Sequence, residues 1–202
     1  ELQMIERIGR VCYKSEDKIT EDGESAKKFV RMLINAHHEA MIEHSTLSVM
    51  FTVDRGVSHE MVRHRIASFA QESTRYVNYS KDKYGSEINV IDLAPGIALD
   101  RRMQDMPAET IEAILNEWEL AMLDAEKHYM KMIELGATAQ IARSVLPNST
   151  KTNITITANY REWRNYFRLR TASDAHPQIR EVSVALLNEL KERIPVIFDD
   201  IA

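Results

Sequence analysis

The sequence predicts an α+β fold. Three observations lead there. Apolar residues recur at helical spacing over most of the chain, two widely separated segments alternate with a period of two, and no βαβαβ succession is present. A chain of 202 residues, 44% hydrophobic and 28% charged, suffices for one domain with a sizeable core, taken as residues 1–202.

The opening ELQMIERIGRVC is too charged for a signal peptide, and the lack of an initiator Met leaves room for a first strand upstream. A helix is expected over about 25–39, where Phe29, Val30, Leu33 and Ile34 share a face. Over 46–53, Leu47, Val49, Phe51 and Val53 alternate with Ser48, Met50 and Thr52, the pattern of a half-buried strand. A helix is expected over about 58–70, with Val62, Ile66 and Phe69 at i, i+4 and i+7. The stretch 80–107, punctuated by Gly85, Pro95, Gly96 and Pro107, reads as an irregular insertion. The longest helix should fill 108–135, entered through Pro107 and stopped by Gly136. Thr138 is placed to cap a short helix ending before Pro147. Residues 150–158 (TKTNITITA) form the second alternating strand, and helices over about 161–170 and 178–193 close the chain.

Composition bounds the function. No run of about 18 apolar residues exists, so a membrane span is not expected. The single cysteine, Cys12, excludes an internal disulfide and a Cys-rich zinc site and fits a reducing, cytoplasmic setting. A net charge of −5 argues against a general nucleic-acid binder, whose affinity rests on neutralising phosphate. His37, His38, His44, His59 and His64 lack HExxH spacing, and no metal is expected. P-loop, GxSxG and GxGxxG patterns are likewise missing.

Two arginine-rich segments stand out, 63–76 and 161–170. In the second, Arg161, Arg164 and Arg168 lie at i, i+3 and i+7, as on a solvated helix face. Arg170 does not fit that face. Trp163, Tyr166 and Phe167 form the opposite stripe, and Arg170 is its i+7 member. A guanidinium there needs a partner, either a core Asp or Glu or an anionic ligand, because burying it unpaired costs several kcal/mol, roughly. In the first segment, Arg63, Arg65, Arg75 and the Ser73 hydroxyl suit phosphate, which guanidinium grips bidentately. A solvated or salt-bridged helix is the competing reading of that segment. Taken with Arg143 in a chain of negative net charge, the arginines favour a pocket for a small phosphorylated ligand over a polymer.

Arg63-His64-Arg65 followed, after seven residues, by Ser73 resembles the RHR-x7-S signature of the flavin-dependent thymidylate synthases. Arg10-Val11-Cys12-Tyr13, the segment His38 to His44, Ile141-Ala142-Arg143-x-x-Leu146-Pro147 and Asn159-x-Arg161-x3-Asn165-x4-Arg170 resemble further family segments in order and spacing. The resemblance implies a small, mostly antiparallel sheet flanked by long helices, the thymidylate synthase-complementing type of fold. It implies reductive methylation of dUMP to dTMP, with methylenetetrahydrofolate as carbon donor, reduced FAD as hydride donor and NADPH as reductant. It also implies a homotetramer with active sites shared between subunits.

Carried onto this sequence, the resemblance gives FAD to Arg63, His64, Arg65, Gln71, Asn159, Arg161, Asn165 and Glu43, with His38 near the flavin and folate. It gives dUMP to Arg63, Gln71, Glu72, Ser73, Thr74, Arg75, Arg143 and Arg170, with Arg170 polarising the pyrimidine for attack. Glu60 stands where some members carry Gln; a carboxylate repels phosphate, so orienting Arg63 is its alternative role. Ala40, Ala70 and Asp174 stand where other members carry polar residues near FAD. Cys12 lies far outside the matched site motifs and reads as a small buried hydrophobe.

Overall fold

The structure is a computed structural model that describes residues 1–81 and 85–202. Helices α1 (Leu2–Tyr13) and α2 (Glu24–Asn35) precede strand β1 (Thr46–Asp54), helix α3 (Arg55–Met61) and strand β2 (Ala67–Gln71). Helices α4 (Ala94–Leu99), α5 (Ala108–Glu134) and α6 (Ala139–Ala142), strand β3 (Lys151–Asn159) and helices α7 (Tyr160–Arg170) and α8 (Pro177–Arg193) follow. The α+β expectation holds. β3 is the central strand of a three-stranded antiparallel sheet ordered β1-β3-β2.

Register follows from the alternation seen in the sequence. β1 pairs with β3 from Thr46↔Asn159 to Asp54↔Lys151, and β2 pairs from Ala67↔Ala158 to Gln71↔Ile154. Phe51, Val53, Ile154, Ile156 and Ala158 thereby face one buried core with Phe29, Leu33, Trp163, Phe167, Leu187 and Phe198. Ser48, Met50 and Thr52 are exposed on the other face, where the Ser48 and Thr157 hydroxyls hydrogen-bond at 2.7 Å. Gly9 lets α1 approach α2, since a Cβ there would lie 2.6 Å from the Phe29 ring.

Four expectations need correction. The helix expected over about 58–70 is instead α3 followed by β2. Asp54 starts α3 early by accepting the Val57 amide at 2.6 Å, and 67–71 is drawn into pairing with the exposed edge of β3. Its supposed helical stripe is therefore split, and Val62 and Ile66 are exposed. The helix expected to reach 39 stops at Asn35, because His37 takes a left-handed φ of 57° and a 3₁₀ turn (Glu39–His44) follows. Thr138 does sit at the N-cap of α6, but its side chain makes no capping bond. Cys12 is exposed on α1, not buried.

Two elements were not anticipated. α1, an amphipathic helix that the sequence reading passed over, buries Ile5 and Glu6, the latter paired with Arg10 at 2.8 Å. α4 lies within the expected insertion 80–107, of which 82–84 fall outside the described residues. The stop of α5 is as expected: Gly136 (φ 94°) donates to Ile133 O and Ala137 to Met132 O, a paired C-terminal closure that needs a left-handed residue. Among the described residues, no helix is long and apolar enough to cross a membrane.

Candidate active site

The site forms where α7 leaves β3. Asn159 ends the strand and caps the helix, its Oδ1 accepting the Glu162 amide at 2.9 Å. The stripe of Trp163, Tyr166 and Phe167 is buried as expected, with the Trp163 Nε1 donating to Leu47 O at 3.0 Å. That packing orients both remaining faces of α7.

On one side lies Arg170, whose sequence position demanded a partner. It finds a carboxylate: Nη1 donates to Glu60 Oε2 at 2.7 Å and Nη2 to the Glu60 carbonyl at 3.0 Å. Its Nε donates to His64 Nε2 at 3.1 Å, and His64 Nδ1 lies 2.9 Å from Glu162 Oε1. Asn165 Nδ2 donates to the same Glu162 oxygen at 3.2 Å. Glu60, Arg170, His64, Glu162 and Asn165 thus form one continuous polar network reaching from α3 to α7. Burial of His64 holds its pKa below the ordinary imidazole value, with the Arg170 charge acting in the same direction and Glu162 opposing both. Glu60 therefore orients Arg170, whereas the sequence suggested Arg63.

On the other side, Arg164 corrects the solvated-face expectation. It is fully buried, forked onto Asp200 at 2.6 and 2.7 Å, and bonded to Glu39 and the Ile197 carbonyl. Hydrogen bonding from Arg164 holds the Asp200 carboxyl below its usual range. Arg161 and Arg168 are exposed, as expected, and pair with Glu43 at 2.5 Å and with Glu39 at 3.4 Å. A groove of about 500 Å³ runs between these residues, lined by Glu39, Glu43, Ile66, Asn159, Arg161, Glu162, Asn165 and Arg168. Four of the anticipated flavin residues, Glu43, Asn159, Arg161 and Asn165, line it together.

The segment 63–75 behaves differently. Arg63 and Arg65 are exposed on either side of buried His64, and neither pairs with a carboxylate among the described residues. Arg75 lies over the Tyr76 ring at 5.5 Å and likewise lacks a carboxylate partner among the described residues. Gln71 donates to Ser58 Oγ at 2.8 Å, which fixes its side chain at the end of β2. Ser73 Oγ accepts the Arg75 amide at 3.3 Å, Thr74 is buried, and Glu72 Oε1 accepts the Tyr79 hydroxyl at 3.0 Å. Burial, reinforced by Glu72, raises the pKa of Tyr79.

Arg143 and His38 stand apart. Arg143 is exposed in a 3₁₀ turn, and His38 is exposed 3.4 Å from the Tyr13 hydroxyl. Among the described residues, neither is joined by a hydrogen bond to the His64 network. The sequence reading missed Glu162 as a site residue. Its only signal was its place three residues after the Asn159 cap, where a carboxylate ordinarily returns to the cap amide.

The family profile described as "Thymidylate synthase complementing protein" matches residues 1–196. The chain is 32% identical over 203 residues to the flavin-dependent thymidylate synthase of Corynebacterium aurimucosum, covering 98% of this chain and 78% of that one. It is 31% identical to the enzymes of the same name from Mycobacteroides abscessus, over 198 residues, and Mycolicibacterium vanbaalenii, over 205, with the same two coverages. With its whole described architecture inside that match, the chain belongs to the thymidylate synthase complementing protein family.

Proposed function

We propose that this chain is a flavin-dependent thymidylate synthase that methylates dUMP to dTMP, with methylenetetrahydrofolate as carbon donor and NADPH as reductant. One observation carries the reading beyond family membership. Arg63, Arg65, Arg75 and Arg143 lack carboxylate partners among the described residues, although this acidic chain pairs Arg161, Arg164, Arg168 and Arg170 internally. Exposed guanidinium groups with no internal carboxylate suit phosphate and pyrophosphate.

The donor set fits a flavin dinucleotide. Arg63 and Arg65 offer charge for its pyrophosphate, while Asn159, Arg161, Asn165 and Glu43 line the adjoining groove. The Arg161–Glu43 pair is exposed, and such pairs are worth about 0–1 kcal/mol, so a ligand can exchange for it cheaply. Bound and reduced, the flavin supplies the hydride for the final reduction. His64 holds the inner wall beside it, and Gln71 sits at the junction with the nucleotide loop. Ser73 and Arg75, with Arg63 and Arg143, bind the dUMP phosphate, and Glu72 and Thr74 hold that loop in shape. Arg170 contacts the pyrimidine and stabilises negative charge on the ring, which makes C5 nucleophilic. His38 orients the folate over the flavin. The proposed chemistry needs no cysteine nucleophile, and Cys12 on α1 does not line the groove.

The exposed residues Leu120 and Leu123 on α5, whose only fully buried side chain is Tyr129, support assembly through this helix into the homotetramer expected from the resemblance. Subunits meeting there would bring Arg143 and His38, which stand apart within one chain, into sites shared between subunits. Small-molecule substrates in the cytoplasm, and not nucleic acid or membrane, complete the reading. The test is product formation: purified protein supplied with FAD, NADPH, methylenetetrahydrofolate and dUMP should release dTMP, and light scattering should report a tetramer. Absence of dTMP from flavin-loaded tetramer overturns the assignment.

A further inference from the structure

We infer that Glu162 is a positioning residue that holds the His64 imidazole with its proton on Nδ1 and, through that ring, holds Arg170 in place. The inference rests on the proposed activity only for its kinetic readout. Its basis is the direction of the hydrogen bonds. An arginine has donors and no acceptor, so the 3.1 Å contact from Arg170 Nε requires a lone pair on His64 Nε2. The only proton left to a neutral imidazole is then on Nδ1, and it faces Glu162 Oε1 at 2.9 Å. An imidazolium, with protons on both nitrogens, is incompatible with the Arg170 contact.

Glu162 is built for this task and not for capping. Its amide is held by Asn159, but among the described residues its carboxylate makes no return bond to the Asn159 amide. Both oxygens turn instead to His64 and Asn165, with the side chains of Glu162 and His64 only 8% and 4% exposed. The groups facing His64 are few. Glu162, Arg170 and the Tyr166 ring (4.9 Å between centroids) approach from α7, and Glu60 acts from α3 through Arg170. Burial pushes the Tyr166 phenol up to about 12, so it contributes no charge near neutrality. Removing the Glu162 acceptor strands the Nδ1 proton, frees the ring to switch tautomer and sets a second donor against Arg170 Nε.

The experiment uses full-length protein labelled with ¹⁵N-histidine, with His64 assigned by comparison with His64→Gln. At neutral pH the wild type should show a protonated Nδ1 and a bare Nε2. Glu162→Leu should lose that pattern and lower kcat/KM for dUMP by about tenfold or more, the scale of a lost charge-assisted hydrogen bond. Glu162→Gln keeps an acceptor oxygen, so it should keep the tautomer and stay within about threefold of wild type. A wild-type His64 protonated on Nε2 overturns the inference even if Glu162→Leu does not fold. So does a folded Glu162→Leu that retains both the tautomer and the activity. If the wild type makes no dTMP, the function fails on its own while the nitrogen signals still decide the role of Glu162.

Discussion

Two stretches of this molecule are rich in arginine and end in opposite states. In α7, Arg161, Arg164, Arg168 and Arg170 all reach carboxylates, on Glu43, Asp200, Glu39 and Glu60. Between 63 and 75, Arg63, Arg65 and Arg75 reach none among the described residues. The difference lies in what each backbone permits. The aromatic stripe of α7 seats the helix on the core, so the guanidiniums it buries, fully for Arg164 and largely for Arg170, must be neutralised where they lie. The turn after α3 and the loop after β2 present their arginines to water, where an open guanidinium costs little and stays available. One region has completed its electrostatics internally; the other is open to an anion brought from outside.

The largest expected effect breaks that contrast at its hinge, Arg170, which is paired internally and is also the residue proposed to contact the pyrimidine. Arg170→Ala should lower dTMP formation by at least about a hundredfold, the scale of losing one aimed donor to a developing anion, while flavin binding largely persists. Single-turnover assays with a flavin absorbance control would check both halves.

Next comes the internally completed region. Arg164→Ala should cost roughly 3 kcal/mol in chemical denaturation, because a buried fork onto Asp200 and the bond to Ile197 O are lost together. Arg168→Ala, half-exposed on the same helix, should cost under about 1 kcal/mol. Equal costs would remove the distinction between buried and exposed members of α7.

The open region should respond in the opposite currency. Arg75→Ala should weaken dUMP binding by about tenfold or more, as one phosphate contact is lost, with stability unchanged within about 0.5 kcal/mol. Calorimetric titration and thermal melting of the same preparation separate the two effects.

A smaller effect is expected from pH. His64 is depressed in the folded chain, so the unfolded chain takes up its proton first as the pH falls. Its contribution to stability is complete above the unfolded imidazole value, about 6.5, and is lost as the pH drops from there toward the folded value. Denaturation midpoints across that window should fall more for the wild type than for His64→Gln. The smallest effect is assigned to Cys12→Ala, which should leave turnover within about twofold, since the thiol is exposed on α1 and a surface change perturbs little.

Much of this was legible in the sequence, for local reasons. β1 and β3 announce themselves by alternation, and α5 and α7 by periodic apolar residues and clear boundaries. Arg170 could be singled out because its anomaly lies within one helical stripe. β2 could not, since Val62, Ile66 and Phe69 imitate helical spacing and only pairing with a strand some 85 residues later decides otherwise, as Phe69↔Ile156 shows (156 − 69 = 87). The burial of Arg164 was hidden for the same reason, because its partners Glu39 and Asp200 lie 125 and 36 residues away. Glu162 was missed because the residue that gives it a role, His64, lies 98 residues earlier.

The arginines left open between 63 and 75 are proposed to await a phosphorylated ligand next to a flavin. The most direct test is to load the purified protein with FAD and titrate dUMP while following the visible flavin absorbance, in the wild type and in Arg75→Ala. The expected result is flavin uptake by both proteins and a saturable dUMP-induced band shift that needs much higher dUMP in the variant. A wild type that takes up no flavin, or a band shift with the same dUMP dependence in both proteins, would contradict the account.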